Sequence, residues 1–182
     1  MEMLKRRRMK NKSVRFITQA AIIAAIYAAL TYVFAFASFG PIQVRVSEAL
    51  CVLPLFTPAA IPGLFVGCLI SNLFLTPLGP WDIVLGSLAT LLAAFAASKI
   101  KIKWLVPLPA VVINAFVVGW LLYFYIGGDL AADYPFLIFN SLYLTATAFV
   151  FVGQALACYV IGLPLLYILN RYGEKIFRPK HN

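Results

Sequence analysis

Charge is scarce in this chain of 182 residues, histidine nearly absent, and no recognisable catalytic combination is present. Charged residues make up 12% of it, roughly half the share of an ordinary soluble domain. The single histidine, His181, stands in a polar tail where neither catalysis nor metal binding is expected of it. There is no Ser/His or Cys/His pairing, no HExxH, no phosphate-binding glycine loop and no ATP-binding motif, so no enzyme activity is expected. Glu48 and Asp82 come without the signatures of an intramembrane aspartyl protease. Cys51, Cys68 and Cys158 lie in apolar surroundings without metal-ligand spacing, and read as buried free thiols. No metal and no cofactor is expected.

Apolar residues are what the chain has in excess, at 63%. That supply, in long runs, suits one compact membrane bundle and leaves no room for a separate soluble domain. A net charge of +9 does not point to nucleic acid, because the basic residues cluster at 5–15, 99–103 and 171–180, each flanking an apolar run. That is the pattern of the positive-inside rule.

Residues 1–15 read as a basic cytoplasmic arm, too charged to enter the bilayer and expected to be flexible. Residues 16–170 form the membrane domain, and 171–182 a basic cytoplasmic tail. The first apolar run, about 16–39, exceeds the ~20 residues a span requires. A basic arm before an apolar run also imitates a signal peptide, with Ala35-Phe36-Ala37 as a cleavage site. The run is longer than a usual signal, however, and its small residues are patterned. Ala20, Ala24 and Ala28 form one row, and Ala21, Ala25 and Ala29 form the row beside it. Such rows let another helix approach closely, whether a partner's or one from the same chain.

Gly40-Pro41 breaks the first helix, and 42–46 is expected as an extended loop on the far side of the membrane. Ser47 is the expected cap of the next helix, with Glu48 in its first turn and Arg45 three positions back as a structural partner. A short second crossing, 49–56, ends at Pro58, and a third runs over about 61–75. Counting these as two crossings keeps all three basic clusters on one side. The fourth runs over 82–98, the fifth over 104–126, and the sixth over 136–169 after an outer loop at 127–135. The expected fold is an all-α polytopic bundle of six transmembrane helices with both termini cytoplasmic.

Arg45, Glu48 and Asp82 are the charges between Arg15 and Lys99. Ionisable groups at membrane depth cost several kcal/mol unless a cavity or partner receives them, so they mark function by default. Pro54, Pro58, Pro62 and Pro77 accompany them, and broken helices are tolerated there only where protein or a cavity covers the freed backbone. Asn72, Trp81, Trp120, Tyr123, Tyr125, Tyr134, Asn140 and Tyr143 fall in the same outer half, with Asn114 and Gln154 deeper. Carboxylates, amides and aromatics together suit a flat, polar, nitrogen-rich ligand. For any single Tyr or Trp the interfacial belt is the simpler account, and Asn114 and Gln154 can equally bridge helices.

The run IQVRVSEALCVLPLF…IPGLFVGCLISNLF…GPWDIVLGSLATLLAA resembles the QueT family of queuosine-precursor transporters, over about residues 16–172. RxSEAL, GCLxSN and WDxxxGS are its specific part. The resemblance implies a substrate-binding (S) component of an energy-coupling factor (ECF) transporter in a prokaryotic plasma membrane. It implies an outward pocket capped by the loop between the first two helices. It also implies an AxxxA face on the first helix, docking a transmembrane coupling subunit that bears two cytosolic ATPases. Ala20, Ala24 and Ala28, with their neighbours Ala21 and Ala25, match that face. The implied cargo is a deazaguanine, the aminomethyl or cyano precursor of queuosine. Glu48 and Asp82 would then receive a guanine-like edge and an aminomethyl cation, in either order. Arg45 and Asn72 would serve acceptor groups or hold the carboxylates, Trp81 would stack, and Asn114 and Asn140 would complete the lining. The partners are thus the base, the coupling subunit, the ATPases and membrane lipid, with no nucleic acid. Two alternatives stay open: an S component for another vitamin or nucleobase-like solute, and a structural membrane protein in which Arg45 and Glu48 merely pair.

Overall fold

The basic arm is itself helical. In a computed structural model describing residues 2–39, 42–133 and 141–177, helix α1 runs without a break over Glu2–Val33. Lys, Arg and Met are good helix formers, so the arm continues the span as helix where the sequence suggested a flexible lead. A single further turn, Ala35–Ser38, ends this crossing.

The second crossing is a 3₁₀ helix, Val46–Leu55, capped by the extended residue Arg45 rather than by Ser47. A 3₁₀ helix rises ~2.0 Å per residue against ~1.5 Å in an α-helix. Ten residues therefore cover ~20 Å, about 5 Å more than the same residues would as an α-helix. The segment brings the chain back to the level of Gln19, whose Oε1 accepts a 2.9 Å hydrogen bond from Thr57 Oγ1. Residues 47–75 are thus two passes.

Helix α2, Ala60–Leu75, then runs alongside α1 in the same direction. A Cβ on Gly63 would stand 2.8 Å from the Ala20 carbonyl oxygen, and one on Gly67 2.9 Å from that of Ala24. Two glycines four residues apart thus meet two alanines four residues apart, backbone on backbone. Ala24 is buried in this contact, Ala20 and Ala28 are half-buried, and Ala21, Ala25 and Ala29 are exposed. Gly67→Val is expected to cost about 1–3 kcal/mol, since the added bulk meets main chain that cannot move aside. Thermal unfolding in detergent checks it; a parent-like melting curve would mean that the two helices do not need this approach.

Helix α3 spans Asp82–Lys99; its first turn, Asp82–Gly86, is π-helical. A 3₁₀ turn, Lys103–Leu105, leads to α4, Leu108–Asp133. Helix α4 continues through residues the sequence assigned to an outer loop from 127. Helix α5 begins as Ser141–Ala155, passes through a π-helical stretch, Leu156–Ile161, and ends as Gly162–Phe177, beyond the expected start of the tail. Four helical stretches are long and apolar enough to cross a membrane, and the 3₁₀ helix and α2 are shorter apolar helices. The described residues thus form an all-helical, polytopic membrane bundle of four long spans and two shorter apolar helices.

Alanines Ala93, Ala94 and Ala97 keep one face of α3 slim, so that α2, α4 and the 3₁₀ helix close around it with Leu64, Val106 and Val111. Large apolar side chains such as Phe36, Phe74, Leu92 and Val160 are exposed instead. Apolar surface on that scale calls for lipid.

Candidate binding site

Four crossings bring their polar residues to one place. The Glu48 side chain, on the first turn of the 3₁₀ helix, is fully buried. Its Oε1 accepts hydrogen bonds from Tyr27 Oη at 2.5 Å and Thr90 Oγ1 at 3.0 Å. Its Oε2 accepts from Cys51 Sγ at 3.1 Å. Both oxygens are therefore engaged within the chain, by α1, α3 and the helix that carries the carboxylate.

Arg45 is 3% exposed and forms no ion pair with Glu48 among the described residues. Its Nη1 donates to Cys68 Sγ at 3.8 Å, and the guanidinium lies 5.2 Å from the Phe39 ring centroid. Cys68, on α2, also accepts from Asn72 Nδ2 at 3.7 Å, and its sulfur lies 3.4 Å from Thr90 Oγ1. One thiol thus gathers the 3₁₀ cap, α2 and α3. Ser47, expected as the cap, instead accepts through Oγ a 2.7 Å bond from Thr31.

Asp82 opens the π-helical turn and is fully buried. Its Oδ2 accepts from Thr76 Oγ1 at 2.6 Å, and its backbone oxygen accepts from Asn72 Nδ2 at 3.0 Å. Its Oδ1 lies over the bare backbone of Gly86, where a Cβ would collide with it. Asp82 Oδ1, Asn72 Oδ1 and Arg45 Nε have no hydrogen-bond partner. A buried polar atom left this way costs ~1–3 kcal/mol and calls for an explanation. Two acceptors and one donor stay open in one polar cluster, able to receive the donors and an acceptor of a polar ligand.

The segment from Ile42 to Arg45 leads into the cluster. Gln43 is buried with a φ of 50°, and its backbone presses on Gly153 of α5, where any Cβ would strike Ile42 and Gln43.

The other expected site residues divide. Asn114 on α4 is 2% exposed with its Nδ2 unpartnered, and α4 packs against the Asp82–Gly86 turn. Trp81 is 69% exposed and takes no part in the cluster. Asn140 lies outside the described residues, as does Tyr134. Tyr123 and Tyr143 are buried against each other with ring centroids 6.3 Å apart, and Trp120 packs on Phe124 at 4.6 Å. These aromatics join α4 to α5. Gln154 accepts from Cys158 Sγ at 3.9 Å, which also lies 3.7 Å from the Glu48 carbonyl oxygen. Tyr27, Thr76 and Thr90 belong to the cluster although the sequence did not single them out, and so does Cys68, which read there as a buried free thiol.

A family model described as QueT transporter matches residues 17–171. The Queuosine precursor transporter QueT of Lactococcus lactis subsp. cremoris (strain MG1363) is 41% identical over 86 residues, covering 46% of this chain and 49% of that protein. The aligned part of the chain thus spans about half the length of the curated relative it matches. No solved structure gives a significant match.

Proposed function

The chain belongs to the QueT transporter family, and from that premise we propose that it is the substrate-binding component of an ATP-driven importer of a deazaguanine queuosine precursor. The observation that carries this reading is the trio of buried, unpartnered atoms on Asp82, Asn72 and Arg45. A guanine-type edge offers N–H donors beside a carbonyl acceptor. Asp82 Oδ1 and Asn72 Oδ1 receive the donors, and Arg45 Nε donates to the carbonyl. Asn114 Nδ2 is a further donor for the ring. Glu48 holds Tyr27 and Thr90 in place beneath the base. Since the base must enter a buried site, the Ile42–Arg45 segment lifts to admit it.

The chain has no ATP-binding motif, so hydrolysis belongs to two cytosolic ATPases reached through a transmembrane coupling subunit. The protein sits in a prokaryotic plasma membrane with both termini cytoplasmic, as the three basic clusters favour. The exposed alanines Ala21, Ala25 and Ala29 form the docking face, with Ala20 and Ala24 seated on α2 beneath it. Ala25→Leu is expected to weaken co-purification with the coupling subunit while leaving base affinity as in the parent. Loss of both together would mean that the row serves folding instead. The reading itself is tested by mass spectrometry of small molecules that co-purify with the protein. A deazaguanine is the expected find, and a different vitamin would overturn the cargo.

A further inference from the structure

At the end of the bundle away from Asp82, a cavity of about 530 Å³ opens where the 3₁₀ helix and α3 end beside α5. Lys99, Lys101 and Lys103 all line it, and no acidic residue does. Three ammonium groups around one mouth repel each other until an anion joins them. Lys99 is partly occupied, its Nζ lying 5.2 Å over the Phe95 ring. Lys101 and Lys103 are exposed and engage no partner among the described residues.

Apart from Ser98 and Asn170, the remaining lining is of the opposite kind. Leu55, Phe56 and Leu166 form apolar wall in the same cavity. Just outside it, Ile102 and Trp104 are 53% and 60% exposed, and a Trp beside lysines at the end of apolar helices marks the level of lipid headgroups. A free inorganic anion would use the lysines and leave the wall idle. A phosphate attached to hydrocarbon uses both.

We propose that this cavity binds the phosphate of an anionic phospholipid, held by Lys101 and Lys103, with the first acyl carbons along Leu55, Phe56 and Leu166. Basic pockets between membrane helices on the positively charged side recognise headgroups in this way. The lipid then ties the end of the 3₁₀ helix to the 99–103 connection, remote from the base site and independent of the cargo it takes.

The test uses the full chain purified in detergent and offered phosphatidylglycerol, phosphatidylcholine of the same chain length, or inorganic phosphate. Native mass spectrometry counts retained lipid, and thermal unfolding reports stabilisation. The parent is expected to retain phosphatidylglycerol in preference to phosphatidylcholine and to gain stability from it, whereas millimolar inorganic phosphate adds little. In Lys101→Gln/Lys103→Gln the retention should fall roughly 10- to 30-fold, and in Lys103→Gln alone about fivefold. Both sites are exposed, so lipid-free melting should stay as in the parent; Lys12→Gln, in the basic arm, serves as the charge control and should retain lipid normally. Equal retention by parent and double variant overturns the proposal, as does equal retention of both lipids. Stabilisation by inorganic phosphate equal to that by phosphatidylglycerol also overturns it, assigning the cavity to a free anion.

Discussion

Asp82→Asn is expected to lower affinity for the deazaguanine base about 10- to 150-fold while leaving thermal stability near that of the parent. A charge-assisted hydrogen bond contributes ~1.5–3 kcal/mol, and each 1.4 kcal/mol is a factor of ~10. The substitution keeps shape, and Thr76 keeps a neighbour for its hydroxyl, now 2.6 Å from Oδ2. If the amide turns its oxygen to Thr76, its nitrogen faces Gly86 and sets a donor against the base's own donors. If it turns the other way, an acceptor remains but its charge is gone. Either arrangement weakens the base and spares the fold. Calorimetric titration with both precursors makes the role specific. Loss of the aminomethyl and cyano bases alike assigns Asp82 to the ring edge, and loss of the aminomethyl base alone assigns it to the cation. Parent-like binding of both would remove Asp82 from the site.

Glu48→Ala is expected to act on the other quantity, costing about 3–5 kcal/mol of stability. The Tyr27 hydroxyl would lose its buried acceptor, at ~1–3 kcal/mol, Thr90 would turn to the Gly86 carbonyl oxygen 3.3 Å away, and removing a fully buried side chain adds a cavity. Glu48→Gln should fall between, because its amide oxygen can still accept from Tyr27 and Thr90. Thermal unfolding in detergent reads the difference. Should Glu48→Ala melt like the parent and bind the base weakly, the two carboxylates would have exchanged roles: Glu48 would face the ligand and Asp82 the scaffold.

The polar cluster was legible because charges in an apolar chain stand out. Arg45, Glu48, Asn72 and Asp82 converge as the interrupted helices between them suggested. Their division of labour was hidden, since it depends on partners far along the chain: Tyr27 is 21 residues from Glu48, and Thr90 is 42. Cys68 read as an inert apolar thiol, and only the folded chain shows three polar groups turned to its sulfur. The resemblance implied that Trp81 would stack on the base. Consecutive helix positions point ~100° apart, so burying Asp82 leaves Trp81 exposed. The alanine rows were equally visible, but which row faces inward is decided by Gly63 and Gly67. The all-helical membrane bundle followed from the long apolar runs, whereas the 3₁₀ form of Val46–Leu55 could not be read from composition.

The most direct measurement is a structure of the protein with the base bound. The account predicts a base N–H within hydrogen-bond distance of Asp82 Oδ1, a second on Asn72 Oδ1, and Arg45 Nε on the ring carbonyl, with Glu48 still held by Tyr27 and Thr90. A base seated elsewhere, with Asp82 Oδ1 and Arg45 Nε still unpartnered, would contradict it.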